Sequence, residues 1–260
     1  MEGNQMLHAV SLGAGPLVVL LHPIGLDGSF WGGLPAALAA KRRVLCLDLP
    51  GHGRSGTVSR PGNIESYADD VAATIRKAGG GPAAIIGLSF GGMIAQVLAI
   101  RHPDLVSALV PCGCAGDFPE NIRPILRERG LLAEREGMAA IIEATIERWF
   151  TEDFRGNAAV ARVKDRLLSD DTASWSAGWH AIAGLSATQH LRNLDVPTLV
   201  LAGEKDVATT PAMTYATVAQ AIPHSEFLIL PGAPHMMQIE AEGPFTTAVR
   251  EFLFTGAGAA

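Results

Sequence analysis

Gly87-Leu88-Ser89-Phe90-Gly91 sets a serine between two glycines, after the apolar run Ala83 to Ile86 and before the apolar-spaced stretch Met93 to Ile100. The order is strand, sharp turn, helix. Such a turn holds the serine in strained backbone geometry and leaves no room for a Cβ at Gly87 or Gly91. The hydroxyl then projects at a helix N-terminus, where unpaired N–H groups and a partial positive charge favour an oxyanion. That is equipment for acyl transfer. A bare Gly-x-Ser-x-Gly string also arises by chance in a chain with 29 glycines, so the flanking pattern decides between the two.

A serine nucleophile needs a base to take its proton and a carboxylate to orient that base. Open parallel sheets collect such groups beyond the carboxyl ends of their strands. Asp206 follows the run Thr198 to Ala202, and His235 follows Glu226 to Leu230. The order Ser89, Asp206, His235 is the one expected on an α/β sheet with a nucleophile turn. Glu204, two residues before Asp206, is the rival carboxylate. The second oxyanion donor is expected from an early strand-to-helix loop, which places the Ile24 N–H beside the Phe90 N–H. His22, just before that loop, reads as a residue holding the turn rather than as a reacting group. Asp48-Leu49-Pro50-Gly51-His52-Gly53-Arg54-Ser55 lacks the lysine of a phosphate loop and reads as a structural turn.

These groups need a scaffold that brings distant segments together. Up to about residue 116, short apolar runs (Leu17 to Leu21, Arg43 to Leu47, Ala83 to Ile86, Leu105 to Val110) alternate with helical stretches around Ile64 to Ala78 and after Ser89. The alternation predicts an α/β fold with a mostly parallel sheet flanked by helices. It resumes with Val196 to Gly203, a helix near Met213 to Ala221, the strand Glu226 to Leu230 and a helix around Phe245 to Phe254. Between them, Asp117 to Leu194 shows amphipathic stretches (Ile122 to Glu128, Gly137 to Trp149, Ala158 to Leu168) and no convincing strand. The expected organisation is a core of residues 1–116 and 195–260, interrupted by a helical lid at 117–194. Gly256 to Ala260 is small and flexible enough to read as a frayed tail.

At 260 residues and 48% hydrophobic content, the chain has ample core for one large domain. A net charge of −6 argues against nucleic acid. No run approaches the ~18 consecutive apolar residues of a membrane span. Met1-Glu2-Gly3-Asn4-Gln5 lacks the basic-then-apolar order of a signal peptide, so a cytoplasmic protein is expected. Cys46, Cys112 and Cys114 are an odd, sparse set that suits a reducing compartment, and packing is the expected role of all three. No metal or cofactor is expected.

His22-Pro23-Ile24-Gly25, the Asp48 to Ser55 turn, the Ser89 box and Gly232-Ala233-Pro234-His235 together resemble the α/β-hydrolase superfamily over nearly the whole chain. Arg127-Glu128-Arg129-Gly130 to Gly137-Met138, Glu147-Arg148-Trp149-Phe150-Thr151, and Leu199 to Gly203 with Asp206 are similar to the 3-oxoadipate enol-lactone hydrolases. Three departures are the Leu21-His22-Pro23-Ile24-Gly25 turn, the lid stretch Ser176-Ala177-Gly178-Trp179-His180-Ala181, and the bulky Met236-Met237-Gln238 after the histidine. The resemblance implies hydrolysis of an ester or lactone through an acyl-serine. In that chemistry Ser89 is the nucleophile, His235 the base, Asp206 its orienter, and the Ile24 and Phe90 amides the oxyanion hole. Trp149, Trp179 and Met236 are the expected substrate contacts, with packing inside the lid as the alternative for the tryptophans. Arg148 is the candidate cation for a carboxylated substrate, against a place on a solvated helix face. A carbon–carbon bond hydrolase of a ring-cleavage dienoate and a triad-retaining ligand receptor are the alternatives. The implied partner is a small-molecule ester or lactone, and self-association into a homo-oligomer is compatible with the chain.

Overall fold

A computed structural model describes residues 6–58, 62–79 and 81–259. Residues 1–5, which carry the expectation about a leader, lie outside them. Seven strands form one sheet: β1 (Ala9–Leu12), β2 (Leu17–Leu21), β3 (Arg43–Leu47), β4 (Ala83–Leu88), β5 (Val106–Cys112), β6 (Leu199–Gly203) and β7 (Glu226–Leu230), in the order β1-β3-β2-β4-β5-β6-β7. Every pairing is parallel except that of β1 with β3. Strands β2, β4 and β6 are buried along their whole length, as continuous apolar runs require when helices cover both faces. The mostly parallel sheet flanked by helices that the alternation predicts is therefore the observed one.

The helices of the first half are α1 (Leu34–Ala39), α2 (Ile64–Lys77) and α3 (Phe90–Arg101). α2 begins where Asn63 accepts the Ser66 N–H, and it packs against α3, which is buried on nearly all sides. After β5 the chain runs through α4 (Arg123–Glu136), α5 (Ile142–Trp149), α6 (Ala158–Leu168), α7 (Thr172–Gly184) and α8 (Thr188–Leu191) before returning to the sheet at β6. Asn157 and Asp171 cap α6 and α7 through their side chains. Then α9 (Pro211–Thr214) continues in π geometry over Tyr215–Ala219, and α10 (Met237–Glu240) and α11 (Glu242–Phe254) close the chain. The helix expected from Met213 starts earlier, because Thr210 caps it and Pro211 sets its first turn.

Of the segment expected to fray, residues 256–259 are described, and they are held. Ala257–Ala259 makes a short 3-10 turn, and Gly258 is buried so close to Phe252 that a Cβ would stand 2.7 Å from its ring. Small residues permit this close approach where a larger tail would be excluded. Among the described residues no helix is long and apolar enough to cross a membrane.

Candidate active site

Parallel strands β2, β4, β6 and β7 all end on one edge of the sheet, and the loop after each carries one candidate group: Ile24, Ser89, Asp206 and His235. The turn after β4 explains its own composition. Ser89 adopts φ 52° and ψ −114°, a strained conformation for a residue with a Cβ. Its N–H donates to the Cys112 carbonyl at 2.8 Å, which ties the turn to β5. A Cβ on Gly87 would fall 2.2 Å from the Gly91 carbonyl oxygen, and one on Gly91 1.9 Å from the Leu21 oxygen. Both contacts are with backbone, so neither glycine has a substitute.

His235 and Asp206 are each 2% exposed. The imidazole Nδ1 meets Asp206 Oδ2 at 2.7 Å, and the other carboxylate oxygen accepts the Ala208 and Thr209 N–H groups, both at 2.8 Å. With Nδ1–H donating to the carboxylate, Nε2 is left with its lone pair free to take a proton. Glu204 goes elsewhere: it is exposed and accepts the Gly232 N–H at 2.7 Å, bracing the loop that carries His235. Of the two carboxylates left open by spacing, Asp206 is the one that meets the imidazole.

Ser89 and His235 line one cavity of about 390 Å³ that lies between the sheet edge and the helical insert. No hydrogen bond joins their side chains among the described residues, and such contacts commonly tighten only with substrate in place. Ile24 also lines the cavity. The Ile24 and Phe90 N–H groups sit on residues 2% and 0% exposed, and neither has a hydrogen-bond acceptor among the described residues. Two buried orphan donors are uncommon in a folded chain.

His22 is part of the loop's framework. Its Nδ1–H donates to the Pro23 carbonyl at 2.8 Å while Nε2 accepts the Leu49 N–H at 2.9 Å, and burial holds its pKa down at about 4. The imidazole is therefore neutral and committed at both nitrogens. Asp48 performs the parallel task for the turn after β3, accepting the Gly28 and Arg54 N–H groups at 2.8 Å each. The cysteines are free and buried, and burial pushes the Cys46 and Cys114 thiols up to about 12, so neither supplies thiolate at neutral pH.

The remaining expectations divide. Trp149 and Trp179 line the cavity, with the Trp149 ring 6.4 Å from that of His235. Met236 is wholly buried and does not line the cavity; its N–H donates to the Trp149 carbonyl at 3.1 Å. Arg148 is half-buried and lies on the wall, its guanidinium reaching the Val207 and Ala208 carbonyls at 3.4 Å. A second cation, Arg129, has its guanidinium 4.9 Å over the Trp179 ring. Burial, reinforced by repulsion from Arg148, brings its pKa down to about 10. Arg129 shares a helix face with Leu126 and Ala133, so the three- and four-residue spacing of α4 was the signal that placed it inward. Among the described residues the wall carries two guanidiniums and no carboxylate.

Comparison with known proteins agrees with this architecture. Residues 18–246 match the alpha/beta hydrolase family. An enol-lactonase from Burkholderia xenovorans LB400 superimposes with a TM-score of 0.90 at 32% identity, covering 95% of this chain and 96% of that one. The chain is 27% identical to 3-oxoadipate enol-lactonase 2 of Acinetobacter baylyi over 90% of its own length and 87% of the relative's. It is 31% identical to a pimeloyl-[acyl-carrier protein] methyl ester esterase of Chromobacterium violaceum, covering 96% and 99% respectively. The polyketide synthase ThaQ of Burkholderia thailandensis matches at 31% identity, but the chain spans only 12% of it. The chain belongs to the alpha/beta hydrolase family.

Proposed function

We propose that the protein is a serine hydrolase that opens an ester or lactone through an acyl-serine intermediate. The observation that carries this reading is the buried 2.7 Å pair of His235 and Asp206, with His235 lining one cavity together with Ser89 on its strained turn. His235 Nε2 takes the hydroxyl proton as Ser89 Oγ attacks the carbonyl carbon. Asp206 fixes the tautomer and stabilises the imidazolium that forms. The Ile24 and Phe90 N–H groups receive the oxyanion, and each such donor typically contributes about 10²- to 10³-fold in kcat. His235 then returns the proton to the leaving oxygen, water attacks the acyl-serine by the same route, and the acid product departs.

Residues 117–194 act as a lid that completes the cavity wall and excludes water. Arg129 and Arg148 favour a substrate that carries a carboxylate away from the scissile carbonyl, because two cations without a carboxylate on the wall await an anion. A carboxylated enol-lactone, whose enolate leaves readily and relaxes to a ketone, fits this polarity and the similarity to enol-lactonases. The test is a panel of neutral aryl esters, carboxylated esters, lactones and enol-lactones assayed with the wild type and Ser89→Ala. Hydrolysis that falls by roughly 10⁶-fold in the variant supports the reading. Equal rates for both proteins end it.

A further inference from the structure

The loop between β2 and α1 carries Ile24 to the cavity wall, and it is held from two sides. From the core, His22 and Asp48 fix it through the hydrogen bonds already described. From the insert, one face of α6 grips it at three successive points. Arg162 Nη2 donates to Ser29 Oγ at 2.7 Å, and its guanidinium lies 4.4 Å over the Phe30 ring. One turn on, Arg166 Nε donates to Asp27 Oδ2 at 2.9 Å. Leu167 packs on Gly25 so closely that a Cβ there would stand 2.4 Å from Leu167 Cδ2.

The ionic grip is enclosed. The side chains of Arg166 and Asp27 are only 13% and 19% exposed, so water competes weakly for them. Asp27 Oδ1 accepts the Ser29 N–H at 2.9 Å and its hydroxyl at 2.6 Å, so the carboxylate that meets Arg166 also shapes the loop. Arg166 is braced from behind by Asp170, whose Oδ1 lies 2.5 Å from Nη1. None of these groups lines the cavity, yet Asp27 stands only three residues from Ile24.

We propose that Arg166 and Asp27 are positioning residues for the reaction: the insert sets, through α6, where the Ile24 amide stands. The lid is thus coupled to oxyanion stabilisation and is more than a cover. The inference rests on the reading of Ser89 as nucleophile. A donor must sit within a narrow distance of the developing oxyanion, and a displacement of about 1 Å costs on the order of 10²-fold. A mere docking contact would instead lower stability and leave turnover alone.

The experiment compares wild type, Asp27→Asn, Arg166→Gln, Arg166→Lys and, on a different side of α6, Lys164→Ala, whose amine pairs with Glu143 at 2.8 Å. Each is assayed with one aryl ester for kcat and KM, for binding of an aryl boronic acid as a tetrahedral mimic, and for melting temperature. Asp27→Asn and Arg166→Gln are expected to lose about 10- to 100-fold in kcat with KM within about 3-fold, and to lose boronate affinity in parallel. Arg166→Lys recovers part of the loss, and Lys164→Ala stays within about 2-fold. An active wild type with unchanged kcat and boronate affinity in Asp27→Asn overturns the inference alone. Should Arg166→Gln not fold, the near-isosteric Asp27→Asn decides by itself. A wild type that neither hydrolyses the ester nor binds the boronate removes both the reading and the inference.

Discussion

At the scale of single residues the account divides the candidate carboxylates sharply. Asp206 holds the imidazole, so Asp206→Asn is expected to lose about 10⁴-fold in kcat through loss of the correct tautomer. Glu204→Gln keeps an acceptor for the Gly232 N–H and should remain within about 3-fold of wild type in the same assay. The reverse ranking would assign the orienting role to Glu204. The two arginines are separable from the chemistry. Arg148→Gln or Arg129→Gln is expected to raise KM for a carboxylated ester by about 10- to 100-fold, the range of a hydrogen bond to a charged group, while a neutral ester keeps its KM. Equal effects on both substrates would mean that the arginines only pack. Serine, aspartate and histidine were legible from the sequence because each follows a strand at a fixed place in the topology. Arg129 was less legible: its spacing with Leu126 and Ala133 points inward, but an arginine on an amphipathic helix ordinarily faces water, and the packing on Trp179 decides between the two. Met236 shows the converse: adjacency to His235 in the chain does not put a residue on the cavity wall.

At the scale of elements, the strand-turn-helix around Ser89 depends on backbone contact that side-chain adjustment cannot relieve. Gly91→Ala would set a Cβ 1.9 Å from the Leu21 carbonyl oxygen. Overpacking costs typically 1–3 kcal/mol, more where backbone must move, so a loss of about 3 kcal/mol or greater is expected in urea unfolding. Wild-type stability in that variant would contradict the close approach of β2 and α3. The elements legible beforehand are those with strong local signals: apolar runs for β2 to β7, buried in all but β7, and amphipathic spacing for α2, α5 and α6. Strand β1 is a four-residue, largely exposed edge strand, too short for alternation to declare itself. Helix α7 buries Trp175, Ala177, Gly178 and Ala181 around most of its circumference, so it has no polar stripe to mark it as helical. The six-residue α1, with proline in its first turn, likewise gives no period to read.

At the scale of the molecule, buried titrating groups link stability to pH. His22 and His52 are held neutral by burial, with pKa values near 4 and 3 against an ordinary 6.5. Each contributes stability that is present above pH 6.5 and is lost as pH falls toward those values. Burial pushes the Asp170 carboxyl the other way, from 3.8 up to about 7, despite its pairing with Arg166. Its contribution is present below pH 4 and is lost as pH rises to about 7. Between pH 4.5 and 6 unfolding therefore takes up two protons and releases one, a net of one, so stability should rise by about 1.4 kcal/mol per pH unit. Asp170→Asn removes the opposing group and should roughly double that slope in urea titrations; an unchanged slope would place the Asp170 carboxylate as ionised throughout. The fold, the cavity and the turn meet in one event, attack by Ser89 on an acyl carbon. Its most direct measurement is mass spectrometry of enzyme quenched in acid during turnover of an aryl ester whose acyl group hydrolyses slowly. The account predicts the acyl mass on the peptide containing Ser89 and on no peptide of Ser89→Ala. Turnover by the wild type with the acyl mass on another residue, or with no adduct in a burst that releases one equivalent of phenol, would contradict it.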